Sequence, residues 1–341
     1  MLHAATPTTP WPPAAFSRHR RLFAILSFAA AFAAPAAQAQ STTYPTKPIR
    51  MVVAFAPGGS TDVLARIVGQ KLSESLGTPV IIDNRAGANG TIGSDVVAKS
   101  PADGYTIMMG EVGSLAMAPG LYPKLPYDPS RDFTAITLVA RTPLLATVRS
   151  DSPLKSLADL ITKARNKPGS LTYPSSGAGG PNHLAGELFD IQAKVKTTHV
   201  PYKGGGPAAL SIASGETDFG LMSAVTINAL LQGGKLKTLA VASDQRLASM
   251  PTVPTMSEAG LPGFEAETWF MLVAPAGMPR PIADKLSAEI AKILPVPSTK
   301  ERLEQMGAIP VGNSPDAAAA FLRAELAKWT KVSKTAGITL E

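Results

Sequence analysis

The sequence predicts an α/β protein of two βα lobes around a central cleft, joined by two crossover strands. Three observations carry that expectation. Short apolar, β-branched runs alternate with helical patterns through residues 49–109 and again through 156–222. Each stretch holds a glycine-rich junction between a strand-like run and a helix. Two extended runs, Phe133 to Arg149 and Glu267 to Ala274, stand where a chain would pass from one lobe to the other and back.

The apolar run from Ile49 to Phe55 reads as a buried strand and stops at Ala56-Pro57-Gly58-Gly59. Pro57 biases Ala56 away from the helical region, and the two glycines permit a left-handed turn. Ser60 or Thr61 is then expected to cap a helix with Asp62 in its first turn, and Leu64, Ile67, Val68 and Leu72 form its buried face. A strand running into a helix start aims unpaired N–H groups at whatever occupies the loop, which suits a carboxylate or phosphate.

Next come a strand at 79–83, the loop Asn84-Arg85-Ala86-Gly87-Ala88-Asn89-Gly90, a helix through Val96-Val97-Ala98 and a strand at 105–109. Glu111 and Ser114 follow that strand's C-terminal end, where open α/β sheets place ligands, and are candidates for selectivity; the plain alternative is a solvated loop. In the run from Phe133 to Arg149, Pro143 suggests a break or an edge strand. The second lobe reads as helix to Arg165, strand 171–173, the loop Ser175-Ser176-Gly177-Ala178-Gly179-Gly180, helix 182–192, strand 197–200, helix 207–214 and strand 218–222. The two glycine-rich loops could aim backbone N–H groups at one anion from opposite sides, although such turns also serve simply to close a tight bend. Tyr202 either walls the cleft or packs beneath its loop, and Trp269 either touches ligand or joins the core. The final helix starts at Ser314-Pro315-Asp316 and carries the stripe Ala318, Leu322, Leu326 and Trp329 against the first lobe.

At the N-terminus, Arg18, Arg20 and Arg21 precede a thirteen-residue apolar stretch from Leu22 to Ala34, and Ala37-Gln38-Ala39 has the small-x-small pattern of a cleavage site. The stretch is too short to span a bilayer, so residues 1–39 are expected to be an export signal, by the general or the twin-arginine route. Three of the 32 basic residues and none of the 25 acidic ones lie in that segment, so removing it lowers the net charge from +7 to +4. No basic stripe with interleaved aromatics points to nucleic acid.

The 341-residue chain has no cysteine, which excludes disulfides, thiolate–zinc sites, a cysteine nucleophile and a lipid-modified cysteine anchor. Neither glycine-rich loop fits a nucleotide motif, so no cofactor is expected. Among catalytic arrangements, no G-x-S-x-G elbow occurs, and only His183 and His199 remain after export. His183 and Glu187 share a helical face but lack a third ligand, so no metal is expected either. An enzyme would need a convergent set of titratable groups that these residues do not supply.

Five motifs in order resemble one family, the extracytoplasmic solute receptors of tripartite tricarboxylate transporters, also called Bug receptors. They are Phe55-Ala56-Pro57-Gly58-Gly59-Ser60-Thr61-Asp62 with Arg66; Asn84-Arg85 with Gly87-Ala88-Asn89-Gly90-Thr91-Ile92-Gly93; Ala98-Lys99-Ser100-Pro101-Ala102-Asp103-Gly104-Tyr105; His199-Val200-Pro201-Tyr202-Lys203-Gly204; and Met256-Ser257-Glu258-Ala259-Gly260 leading to Ala274-Pro275-Ala276-Gly277. The resemblance covers nearly all of the chain after the export segment.

It implies a two-lobe periplasmic binding protein of type II, a Venus flytrap, with lobes at 44–139 plus 273–341 and at 140–272. Such a protein closes, as a monomer, on a small carboxylated solute and delivers it to a membrane permease. It also implies that the loops at Ala56–Asp62 and Ser175–Gly180 hold the carboxylate largely through backbone groups and waters. One departure is that related sequences commonly carry a Ser or Thr hydroxyl where this chain has Gly180-Pro181. A ligand-loaded sensor presenting to a signalling partner is the alternative; loss of uptake against loss of induction on deletion separates the two.

Overall fold

The computed structural model describes residues 8–10, 44–55, 57–202 and 204–340. The expected export segment therefore falls almost wholly outside the described residues, as do Ala56 and Lys203. Residues 44–341 form one unit. Its first half opens with β1 (Ile49–Val53) between two parallel neighbours, β2 (Val80–Asn84) and β3 (Thr106–Glu111), with Met51 opposite both Ile82 and Ile107. Helix α1 (Ser60–Leu76) joins β1 to β2, and α2 (Thr91–Ala98) joins β2 to β3. Apart from Arg50, which pairs with Asp83, β1 is apolar and buried on both faces because helices cover both sides of a parallel sheet.

Beyond β3, a five-residue π-helical turn (Gly113–Met117) and the short α3 (Ala118–Leu121) lead to β4 (Phe133–Arg149). β4 is a single 17-residue strand that serves two sheets in succession. Through Pro143 it pairs antiparallel with β9 (Glu267–Pro275), itself antiparallel to β3; from Leu144 it pairs with β7 (Phe219–Ser223), and from Leu145 with β8 (Leu236–Val241). Pro143, which has no N–H to donate, stands where one set of partners ends and the other begins, so the strand continues through it.

The second half adds α4 (Leu157–Asn166), the parallel pair β5 (Thr172–Ser175) and β6 (Thr198–Pro201), and the helices α5 (Pro181–Ala193), α6 (Gly205–Ser214) and α7 (Ala224–Gln232). α4 starts at a full capping box, in which Ser156 and Asp159 satisfy each other's backbone N–H groups. After β9 the chain ends in α8 (Arg280–Ile293), α9 (Pro297–Gln305), the two-residue β10 (Ile309–Pro310) on the edge of β4, and α10 (Pro315–Ala336).

Ser314 caps α10 as the sequence predicts, accepting from the Ala317 N–H at 3.3 Å. The helix packs on β4 and α3, and it also reaches α5 in the second half. One buried cluster runs from Val52 and Met108 through Tyr173, Phe189 and Phe219 to Trp269 and Trp329, so a continuous core underlies both sheet halves. Smaller clusters lie between β1 and helices α1 and α8, and around α6 and α7. Among the described residues no helix is long and apolar enough to cross a membrane.

Candidate functional site

The first glycine-rich loop differs from its expected form by one residue. α1 begins at Ser60, with Gly59 as its N-cap in extended conformation and no side-chain cap. Asp62 takes over that work from inside the helix: its carboxylate accepts from the Gly58 N–H (2.9 Å), Asn84 Nδ2 (2.9 Å) and Arg66 Nε (3.0 Å), and Arg66 Nη2 lies 2.9 Å away. Asn84 also donates to the Phe55 carbonyl at 3.1 Å, which ties the strand end to the helix start. Burial opposes the charged form of Asp62, but the hydrogen bonds from Arg66, Gly58 and Asn84 prevail and hold its pKa at about 2.

Asp62 is therefore a fixed anion that shapes the loop, and its oxygens are already occupied. Pro57, Gly58 and Gly59 remain exposed. Gly58 sits at φ +84 with nothing within 4 Å of where a Cβ would be.

Thr61, freed from capping, donates to Glu111 Oε2 at 3.1 Å. Glu111 is the last residue of β3, which runs two residues beyond the predicted strand, and it is buried rather than solvated. Burial pushes its pKa up to about 7, against the Thr61 hydrogen bond. Ser114 is fully buried, and its carbonyl accepts from the Tyr127 hydroxyl at 2.7 Å.

Gly90 packs against the Phe55 ring and Ser114, and Gly93 lies directly on Ala54, so the 87–93 segment closes tightly over the end of β1. Ala88 and Asn89 both take left-handed backbone there, at φ +45 and +53. Two strained non-glycine residues beside the loop are a feature that residue types alone do not announce.

The second loop carries no charged side chain of its own, and the Glu187 carboxylate lies 3.5 Å from His183 Nε2. Ser175, buried at the end of β5, lies 2.6 Å from His199 Nε2, accepts from the Gly177 N–H (3.1 Å) and donates to the Gly177 carbonyl (2.9 Å). Gly179 donates to His183 Nδ1 at 3.0 Å, and Gly180, the N-cap of α5, donates to the Gly177 carbonyl at 3.2 Å. The two imidazoles stack with centroids 3.7 Å apart. Burial and the adjacent His183 lower the His199 pKa to about 4, which keeps that ring neutral.

Ser176 donates to Asn182, which donates to the Leu221 carbonyl. Gly179, at φ +76, lies against Leu121 of α3 and Leu340 near the C-terminus. The Gly113–Leu121 stretch thus touches the 87–93 segment through Ser114 at Gly90 and the second loop through Leu121 at Gly179. Three of the second loop's N–H groups are spent internally, so it offers fewer free donors than a symmetrical cradle requires.

Two expected contacts point elsewhere. Trp269 is fully buried; its indole N–H donates to Glu325 Oε2 at 2.7 Å, which also accepts from Trp329, and its ring meets Phe321 edge-on. Tyr202 packs on the α6–α7 cluster with its hydroxyl buried and without a hydrogen-bond partner among the described residues. Both follow the packing alternative, because a large ring gains more by leaving water than by lining a wet cleft. His183 and His199 lie on different elements, and the register of Tyr173 with His199 across β5 and β6, together with the packing of α5 on β5, brings them together.

Two cavities lie away from both loops: one of about 570 Å3 between residues 244–249 and the α9–β10 corner, and one of about 470 Å3 between α7, residues 249–250 and the end of α9. The guanidinium groups beside the larger one are already paired, Arg141 with Glu267 and Arg246 with Glu258. Among the described residues no group of three or more His, Cys, Asp or Glu side chains could hold a metal ion.

Residues 64–338 match the family described as the tripartite tricarboxylate transporter family receptor. The chain belongs to that family. This receptor is 36% identical to the protein BugT of Bordetella pertussis over 322 residues, 94% of this chain and 99% of BugT. Among solved structures, it resembles R. palustris Rpa4515 with adipate (40% identity, TM-score 0.77, 87% of this chain and 100% of that one). It also resembles MatC of Rhodopseudomonas palustris with bound malate (34% identity, TM-score 0.73, 85% of this chain and 100% of that one). The two-lobe binding-protein fold expected from the sequence is the fold of these neighbours.

Proposed function

We propose that this receptor binds a small organic anion carrying one or more carboxylates between the Pro57–Asp62 and Ser175–Gly180 loops and hands it to the permease of a tripartite tricarboxylate-type transporter. The observation that carries the reading is the helix start at Gly59-Ser60, held open by Asp62, with its dipole and first-turn N–H groups facing the loop. Two relatives that were solved with dicarboxylates, adipate and malate, support the ligand class.

Export to the periplasm with cleavage near Ala39, action as a monomer without catalysis, and lobes divided at 44–139 plus 273–341 and 140–272 belong to the same proposal. Because β4 changes partners at Pro143, the hinge is expected close to that residue. A ligand that contacts both lobes shifts the open–closed equilibrium, and only such a ligand does so. Fixed backbone dipoles without a free guanidinium clamp also suit a receptor that must release its cargo.

Thermal-shift screening of dicarboxylates, tricarboxylates, aromatic carboxylates and acidic amino acids tests the reading. A rise in Tm with at least one anion is expected, and Gly59→Trp should abolish the rise while the unliganded Tm stays in place. Stabilisation by a neutral sugar or a cation, with none by any carboxylate, would overturn it.

A further inference from the structure

Glu111 presents a chemical contradiction within the proposed anion site. Glu111 is 9% exposed as a residue, Oε2 accepts from Thr61, and Oε1 has no hydrogen-bond partner among the described residues. Among the described residues no cation pairs with it. α1 contributes the Thr61 hydroxyl and, one residue on, Asp62, whose charge is committed to Arg66, Asn84 and Gly58. The 113–117 turn contributes Ser114 and Gly113; a Cβ on Gly113 would stand 3.0 Å from Oε1, so glycine keeps the space beside that oxygen open. β9 places Phe270 opposite Glu111 in register.

A carboxylate here would repel a ligand carboxylate at the same helix start, and two like charges in hydrogen-bond contact cannot both persist in a dry site. One proton removes the conflict. Burial already drives Glu111 towards its neutral form near neutral pH.

We propose that Glu111 takes part in anion binding as a neutral carboxylic acid, with Oε2 held by Thr61 and the Oε1 hydroxyl donating to a ligand carboxylate, so that the receptor takes up one proton with each anion. The proton comes from solvent, and no bond of the ligand is made or broken. The inference rests on the carboxylate-binding reading above and adds to it the residue that couples binding to pH.

Isothermal titration of the full chain with adipate and with malate, at pH 6 and pH 8 and in buffers of low and high ionisation enthalpy, tests it. Affinity is expected to be about tenfold weaker at pH 8 than at pH 6, with close to one proton taken up at pH 8. Glu111→Gln, whose amide N–H replaces the acid hydroxyl, should bind with an affinity that no longer changes with pH and with no proton uptake. Equal wild-type affinity at both pH values without proton uptake would sink the inference and leave the carboxylate reading standing. Uptake that persists in Glu111→Gln would assign the proton to another group and sink it equally. If neither adipate nor malate binds, the same titration is run with whichever carboxylate raises the Tm in the screen above, and if none does, both readings fail together.

Discussion

The two glycine-rich loops have similar sequences and are stabilised by different physics. The first is built around a charge: Asp62, buried and fully hydrogen-bonded, draws Arg66, Asn84 and the Gly58 N–H onto one carboxylate. The second has no charged residue of its own and relies on Ser175, two stacked imidazoles, one of them backed by the Glu187 carboxylate, and the contact of Gly179 with Leu121 and Leu340. A charge-anchored loop keeps its shape with its tip open to solvent. A packed, neutral loop depends on its neighbours, one of which, Leu340, comes from the far end of the chain.

The largest expected break in that comparison is steric. Gly179→Ala places a Cβ against Leu340 and Leu121 on left-handed backbone and should cost about 3 kcal/mol, whereas Gly58→Ala, left-handed but in open space, should cost about 1 kcal/mol. Chemical denaturation of both variants measures the gap, and adding Leu340→Ala to Gly179→Ala should recover part of the loss. If the two glycine variants prove equally stable, the contrast between the loops is wrong.

Asp62→Asn comes next, at about 2 kcal/mol, because Arg66 and the Gly58 N–H lose a charged acceptor. Hydrogen exchange should show faster exchange at Gly58 with Gly179 unchanged; parallel loosening of both loops would argue that they share one anchor.

The third prediction concerns acid. His199 has a folded pKa of about 4, below its unfolded value, so the unfolded chain binds the proton first and stability falls as pH drops from about 6.5 to 4. For a half-buried ring screened by solvent the loss is about 1–2 kcal/mol. Asp62 gives up its contribution only at lower pH, as it falls from about 4 through 2. Glu111, raised to about 7, acts in the opposite sense and becomes less favourable as pH rises from about 4 through 7. Protection factors at Gly177 and Gly179, referred to the intrinsic exchange rate at each pH, should therefore fall between pH 6.5 and 4.5 while that of Gly58 holds, and His199→Gln should flatten that response.

Much of the alternation was legible in the sequence. β1, the glycine junctions, the capping box at Ser156 and the Ser314-Pro315 start of α10 are local patterns, set by φ preferences, capping and apolar periodicity. α7 and β8 are not among the expected elements although Gly233-Gly234 marks the turn between them, because their short apolar runs carry no period long enough to tell helix from strand. The run around Pro143 looked broken because a proline usually ends pairing, and only the change of partners there lets one strand serve two sheets.

The site divides in the same way. From residue order alone came the two loops and the helix starts that make an anion site plausible, because backbone geometry at a glycine-rich βα junction is local. Side-chain direction was decided by tertiary packing. Trp269 and Tyr202 turned inward because burying a ring outweighs wetting it, and Glu111 came to rest against Thr61 because β3 runs two residues further than its pattern suggests. His183 and His199 became a stacked pair because the β5–β6 register sets His199 beside Tyr173 and α5 packs on β5. Contacts between residues distant in sequence exist only once the chain has closed on itself, so no local pattern could have announced them.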